Sequence, residues 1–178
     1  MGARKAGHSG TLDPNATGML LIGLDNAARL LGTFMGLDKA YEGIIKIHGD
    51  VTVASVRGAA KSFVGEVKQL PPKKSAVARK ERMRMVFSFR IHSINGREVH
   101  FSLQCQSGFY VRKLAHDLGI KLGVNAQLWE LRRTAIGPFG IGECVTLDEL
   151  RRKGNTSIIP SGGMIERVSD TEPRSKTL

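Results

Sequence analysis

The chain has 178 residues, of which 41% are hydrophobic, so it is long and apolar enough for one domain with a hydrophobic core and unlike a disordered tail. Its 27 Lys and Arg against 16 Asp and Glu give a net charge of +11 and a pI near 10.1, which predict a polyanionic partner, most simply a nucleic acid. The longest apolar run, about seven residues from Gly18, is far short of the roughly 20 that cross a bilayer. On charge alone, a solvated basic face and an anionic membrane surface stay open as alternatives.

The first half of the chain alternates turn-rich and apolar segments. The stretch up to Gly18 is rich in Gly, Ser, Asp, Pro and Asn, which predicts a structured loop. Asp25 or Asn26 is a suitable cap for the first helix. Hydrophobic periodicity predicts strands at 19–24 and 41–47 and helices at 25–35 and 52–64.

The second half contains the clearest strand pattern. From Met83 to Ile94 apolar and polar residues alternate, with Met83, Phe87 and Ile91 on the apolar side, and Asn95-Gly96 is a strong hairpin signal. The other predicted elements are a return strand at 97–106, a helix at 110–122, a strand and loop at 128–139 and a helix at 147–153. These elements predict an α/β (α+β) fold at 1–154, with a mixed, largely antiparallel sheet and flanking helices, and a poorly ordered tail at 155–178.

The most distinctive motif is GHSGTLDPNATGML at residues 7–20. Its glycines and its Asp-Pro step permit a tight loop that could hold Asp13 at a fixed position beside a ligand. An ordinary turn, in which Asp13 caps its own backbone, explains the same residues.

Three further motifs are compatible with a site. Lys39-Ala-Tyr41 opens a strand, where the tyrosine is either a half-buried core residue or a surface on which a base stacks. In GFYVRKLAHDLG, Arg112 stands near a helix start, where a cation is unfavourable unless it faces a carboxylate. The run LWELRRTAIGPF is apolar and dibasic, which an amphipathic segment also explains.

Taken in order, GHSGTLDPNATG, KAY, PPKKSAV, SGFYVRKL and ELRRTAIGPF closely resemble the TruB/dyskerin family of pseudouridine synthases. The resemblance covers roughly residues 6–150, and the loop around Asp13 is its most specific part. The segment between KAY and SAV is more similar to the archaeal and eukaryotic dyskerin-like branch, the catalytic subunits of H/ACA ribonucleoproteins, than to bacterial tRNA enzymes. The resemblance implies the pseudouridine synthase catalytic-domain fold and the isomerisation of uridine to pseudouridine in rRNA or tRNA.

The resemblance also implies roles for single residues. Asp13 matches the catalytic aspartate, Tyr41 the tyrosine that stacks on the flipped base, and Arg112 the arginine paired with the carboxylate. Leu131 matches a leucine of the pocket and His8 a histidine that contacts the RNA. We therefore expect Asp13 and Arg112 to meet in one cleft, with Tyr41 opening onto it and Leu131 lining its floor.

The basic residues add candidate contacts to RNA. Residues 73–97 contain eight basic residues and one acid. The side chains predicted to contact RNA are Lys39, Lys73, Lys74, Arg79 and Lys80.

Cofactors, partners and location follow from the same resemblance. We expect no cofactor and no metal, because the reaction is intramolecular and the five histidines and two cysteines show no metal-ligand spacing. Expected partners are RNA (tRNA, or rRNA with an H/ACA guide RNA) and small H/ACA ribonucleoprotein subunits, without a membrane. The expected location is cytoplasmic in an archaeon and nucleolar or nuclear in a eukaryote.

The chain departs from the family pattern in three places. We expect it to lack the usual N-terminal segment and the PUA domain, and Ala78 stands where family members usually carry a lysine. A non-catalytic RNA-binding or assembly module derived from such an enzyme is the alternative function. A basic ribosomal-type protein would explain the charge but not the loop around Asp13.

Overall fold

The structure is a computed structural model that describes residues 2–70, 80–154 and 158–170. Its strands are β1 (Ala6–Ser9), β2 (Ala16–Gly18), β3 (Leu21–Leu24), β4 (Lys39–His48), β5 (Gly65–Gln69), β6 (Arg82–Asn95), β7 (Glu98–Cys105), β8 (Asn125–Ile136) and β9 (Phe139–Gly140). Its α-helices are α1 (Leu31–Met35), α2 (Val53–Lys61), α3 (Val111–Leu122), α4 (Leu147–Lys153) and α5 (Ser161–Ser169). Short 3-10 helices cover Asp25–Leu30 and Ile141–Glu143.

Seven of the described strands form one sheet, in the order β2-β8-β4-β7-β6-β5 with β9 paired to β8. The β2–β8 ladder is parallel and the other ladders of this sheet are antiparallel. β1 and β3 form a separate antiparallel pair. The predicted mixed, largely antiparallel sheet with flanking helices is confirmed.

The main core lies between this sheet and the helices α2 and α3. The alternation predicted for β7 is confirmed, since Val99, Phe101, Leu103 and Cys105 are each at most 1% exposed. They pack with buried residues of α2 and α3 such as Leu114. Full burial of one large apolar side chain contributes about 1.5–3 kcal/mol, so this face orients both helices on the sheet.

The strict alternation predicted for β6 is wrong. Val86 pairs with Cys105 and Ser88 pairs with Gln104, so Phe87 is the extra residue of a β-bulge. Because the bulge changes the phase, Val86 and Phe89 are both buried, whereas Met83 is 49% exposed. The hairpin predicted at Asn95-Gly96 is confirmed.

Two predictions at the ends of elements need correction. Asp25 does not cap the first helix, because its carboxylate accepts hydrogen bonds from the backbone N–H groups of Arg4 and Lys5 at 2.8 and 3.1 Å. The predicted tail contains α5, whose Met164 and Val168 pack on a second core cluster around Phe139.

An ion pair ties α5 to the body of the protein. The Arg167 guanidinium contacts the Glu143 carboxylate at 2.6 and 3.0 Å and also donates to the Pro138 carbonyl. Its hydrogen bonds hold the pKa of Glu143 at about 2. Of the helices that the structure describes, none is long and apolar enough to span a membrane.

Candidate active site

Asp13 lies in the loop between β1 and β2, and β8 fixes the end of that loop. The Asp13 carbonyl accepts a hydrogen bond from the Ala16 N–H at 2.8 Å, and Ala16 pairs with Leu131 of β8. Gly18 pairs with Arg133 at φ +99°, and a Cβ there would lie 2.3 Å from the Arg133 carbonyl oxygen. Only glycine fits this position, so the local sequence brings the loop against the sheet.

Arg112 is the second residue of α3 and reaches the loop from the opposite side. Its Nη2 lies 2.5 Å from Asp13 Oδ2, and the two side chains are 55% and 51% exposed. The prediction that these side chains meet is confirmed. The pair is open to solvent on one side, as a carboxylate that receives a substrate must be.

The start of α3 is held by a residue that the sequence patterns did not reveal. The side chain of Gln69, at the end of β5, accepts a hydrogen bond from the Tyr110 N–H at 2.9 Å and donates one to the Tyr110 carbonyl at 3.1 Å. Gln69 is buried, and Tyr110 is the N-cap of α3. Gln69 therefore fixes the helix end that carries Arg112.

Tyr41 lies on β4 between Leu103 of β7 and Arg133 of β8, on the sheet face that carries the helices. Its side chain is half-buried. Burial raises the pKa of Tyr41 to about 12, the nearby Asp13 carboxylate acts in the same direction, and the positive charge of Arg133 opposes the rise. The phenol is therefore neutral over the physiological range and lies close to the Asp13 carboxylate.

Leu131 and His8 complete the set predicted from the motifs. Leu131 is half-buried and faces Gly43 across the β4–β8 ladder, two pairs along from Tyr41 and Arg133. It also pairs with Ala16, directly after the Asp13 loop. His8 is exposed on β1, two residues before Gly10. The roles of these side chains toward RNA stay predictions.

Lys39 requires a correction as an RNA contact. It is 7% exposed, and its Nζ donates hydrogen bonds to the carbonyls of Met35 and Leu37 at 2.7 and 2.6 Å and to Ser107 Oγ at 3.3 Å. Its ammonium is satisfied inside the protein and tethers the end of α1 to β4. From the sequence alone, a lysine at the start of a strand cannot be assigned either to such an internal tether or to phosphate binding.

The buried ammonium predicts a pH dependence of stability. Burial, with a further contribution from the Arg133 charge, lowers the pKa of Lys39 from 10.5 to about 8. Below pH 8 the Lys39 amine is protonated in both the folded and the unfolded state, so the full free-energy cost of burying the ammonium is present. Between pH 8 and 10.5 the unfolded state binds more protons than the folded state, so the free energy of unfolding rises with pH. Lys39→Met removes this dependence.

Chemical denaturation of the parent and of Lys39→Met across pH 7–11 measures the effect. The parent should gain stability relative to the variant over this interval. A difference that is constant with pH would contradict the buried, titrating ammonium.

The other candidate RNA contacts are only partly described. Lys73, Lys74 and Arg79 lie outside the described residues, and Lys80 is exposed just before β6.

Arg133 is the second residue that the sequence analysis missed. It is 2% exposed, although its neighbour Arg132 is exposed. The Arg-Arg doublet does not tell which arginine is buried. The period of two in a strand would have placed Arg133 on the same face as Leu131.

These residues form a cleft with defined chemical capacities. The Asp13 carboxylate is accessible and is held by the Arg112 guanidinium, which suits a nucleophile. Tyr41 adds an aromatic ring beside it. Within residues 2–70, 80–154 and 158–170, no group of three or more His, Cys, Asp or Glu is placed to hold a metal ion.

The sequence matches two family models that together extend over most of the chain. The model described as TruB family pseudouridylate synthase (N terminal domain) matches residues 1–111. The model described as tRNA pseudouridylate synthase B C-terminal domain matches residues 112–156.

Known proteins are similar over the same region. The "Probable tRNA pseudouridine synthase B" of Methanopyrus kandleri is 43% identical over 150 residues, covering 84% of this chain and 44% of the relative. Among solved structures, a Cbf5-Nop10-Gar1 complex matches with a TM-score of 0.85 and 35% identity, over 93% of this chain and 54% of the other. An H/ACA RNP bound to a substrate RNA containing 2'-deoxyuridine matches with a TM-score of 0.81 and 32% identity, over 93% and 53%. The chain thus spans about half the length of the proteins it matches.

Proposed function

We propose that this chain, which belongs to the TruB family of pseudouridine synthases, isomerises uridine to pseudouridine in RNA. The observation that carries the proposal is the contact between Asp13 and Arg112, because it joins two distant motifs in one open cleft. A carboxylate held by an arginine beside an aromatic ring matches the needs of a base-flipping reaction without a cofactor.

The first two steps of the reaction each have a residue in the cleft. A uridine must leave its stack at a cost of a few kcal/mol, and stacking on the Tyr41 ring returns about 1–3 kcal/mol. The Asp13 carboxylate then attacks the nucleoside or initiates cleavage of the bond between C1′ and N1. The uracil rotates and forms the bond between C1′ and C5, while C5 loses a proton and N1 gains one. The product is an isomer, so no co-reactant is consumed.

The identity of the RNA has two candidates. The Methanopyrus kandleri relative is named for tRNA, and one of the solved neighbours is an H/ACA RNP bound to a substrate RNA. We propose a substrate uridine in rRNA, selected by an H/ACA guide RNA with partner subunits, or in the TΨC loop of tRNA. The archaeal source of the relatives favours a cytoplasmic location over a nucleolar one.

One assay separates these readings. The protein is incubated with a tRNA transcript, and with an rRNA fragment plus guide RNA and partner subunits, and pseudouridine is mapped in each. Modification of the transcript by the protein alone supports the stand-alone reading, and modification only with the guide supports the guided one. RNA binding without turnover in either arm favours the non-catalytic module. The cleft residues Asp13, Tyr41 and Arg112 argue against that module, because a scaffold requires none of them.

We predict that the affinity for RNA falls steeply as the salt concentration rises. The basic segment, residues 73–97, should contribute to this salt dependence. Each phosphate contact on a single strand adds roughly −0.7 to the slope of log K against log salt. Reversing Lys73, Lys74, Arg79 and Lys80 to Glu should therefore make the slope shallower by up to about 3. Filter binding between about 50 and 200 mM salt measures this slope.

A matched control distinguishes specific contacts from net charge. Reversing Arg57 and Lys61 on the exposed side of α2 is compared with reversing Lys73 and Lys74 alone. We expect the second pair to flatten the slope more than the first. Equal slopes for both pairs would mean that the basic segment acts only through the overall charge.

A further inference from the structure

Arg133 joins both ends of the segment that carries Asp13. Its Nε–H donates to the Met19 carbonyl at 2.8 Å, and its Nη2–H donates to the Gly10 carbonyl at 2.9 Å. Arg133 has the largest fully buried side chain in the described part of the protein. One rigid group therefore sets the distance between the start and the end of the loop.

The same guanidinium also contacts the aromatic residue of the cleft. Tyr41 and Arg133 are direct partners across the β4–β8 ladder, and the Arg133 guanidinium acts to lower the pKa of the Tyr41 phenol, against the larger effect of burial. Arg133 thus contacts the two components of the cleft that must face the same base, the Asp13 loop and the Tyr41 ring.

Simple packing does not explain an arginine at this position. A buried cation is costly unless its donors are satisfied, and Arg133 donates its hydrogen bonds to the backbone carbonyls of Met19 and Gly10. An apolar residue would fill the space without that cost. The planar fork of donors, which reaches two carbonyls at opposite ends of the loop, is what arginine alone supplies.

We propose that Arg133 is a positioning residue for the isomerisation proposed above, holding the Asp13 loop and the Tyr41 phenol in one fixed geometry. It does not touch the substrate, and Arg112 remains the residue paired with the carboxylate. The proposal rests on the proposed function for its kinetic consequence, but the fixed loop geometry is measurable without turnover.

Arg133→Lys tests the proposal, because lysine keeps the charge but lacks the planar fork that reaches both carbonyls at once. We expect hydrogen exchange in the peptide covering residues 10–19 to accelerate at least about tenfold, while exchange in β7 and α3 stays at the parent level. We expect the single-turnover rate constant to fall about 100-fold, the loss typical of a misplaced reacting group, with KM within about threefold. Arg132→Lys is the matched control on the exposed face, and its rate and exchange should equal those of the parent.

Each outcome decides the proposal. Unchanged loop exchange in Arg133→Lys overturns it, as does an unchanged rate despite faster loop exchange. Faster exchange throughout the protein, with a rate that falls only as the folded fraction falls, shows a merely structural role and also overturns it. If the parent itself has no turnover, the proposed function fails, and the loop exchange still decides whether Arg133 holds the loop.

A second variant covers the case in which Arg133→Lys does not fold. Gly10 has φ +81°, and a Cβ there would lie 3.5 Å from Arg133 Nη1, so Gly10→Ala strains the same end of the loop. The expected result is the same pattern, faster exchange at residues 10–19 and a lower rate at similar KM. Unchanged exchange and rate in Gly10→Ala overturn the proposal in that case.

Discussion

Replacing Asp13 with asparagine is expected to abolish pseudouridine formation while RNA affinity stays within about threefold of the parent. The amide is nearly isosteric with the carboxylate, so the loop and its hydrogen bond to Ala16 are retained. It is a poor nucleophile, and loss of a nucleophile costs about 10⁴-fold or more in rate. Single-turnover assays with excess protein separate this chemical defect from weaker binding.

Asp148→Asn is the matched control for the Asp13 variant. Asp148 is exposed in α4 and pairs with Arg151, so the substitution makes the same change of charge outside the cleft. It should leave the rate unchanged. Turnover by Asp13→Asn at a tenth of the parent rate would rule out Asp13 as the nucleophile.

Arg112→Met is expected to lower the single-turnover rate by about 10²–10³-fold, the range associated with loss of one positioning or electrostatic partner. The Asp13 carboxylate would lose its charge-assisted contact with Arg112, and its orientation would no longer be fixed by that contact. Arg112→Lys should fall between the parent and Arg112→Met, since it keeps the charge without the planar fork. Stability should change little, because exposed ion pairs contribute about 0–1 kcal/mol.

Lys121→Met removes one positive charge from the other end of the same helix and serves as the control. Its rate should equal that of the parent, and thermal denaturation of all three variants verifies folding. A rate within about threefold of the parent for Arg112→Met would show that the ion pair is a surface contact without a catalytic role.

Elements set by local pattern were predicted well from the sequence. β7 shows uninterrupted alternation, and its four predicted inward residues are buried. α3 ends at Gly123 in the left-handed conformation, and α4 covers the predicted residues. These features depend on neighbours within a few residues, which is the range over which periodicity and caps act.

Features set by tertiary contacts were not predictable in the same way. The bulge at Phe87 depends on pairing with β7, and the burial of Lys39 depends on carbonyls that α1 and its following turn bring to β4. The attachment of α5 to the rest of the protein depends on the ion pair between Arg167 and Glu143. In each case the decisive partner is distant in sequence or belongs to another element.

The residues of the candidate site also differ in how far the sequence predicted them. The family motifs located Asp13, Tyr41 and Arg112, and the Asp13–Arg112 contact is present. Gln69 carries no motif of its own, and Arg133 lies within ELRRTAIGPF without a predicted role. Both hold the site residues in place, and this became visible only through their hydrogen bonds.

The most direct test of the central claim is the mapping of pseudouridine at single-nucleotide resolution in RNA treated with the parent protein and with Asp13→Asn. The assay is run with a tRNA transcript alone, and with rRNA, guide RNA and partner subunits. The account predicts pseudouridine at one defined uridine with the parent in at least one of these settings, and none there with the variant. RNA that is bound but unmodified by the parent in both settings, or modified equally by the two proteins, would contradict it.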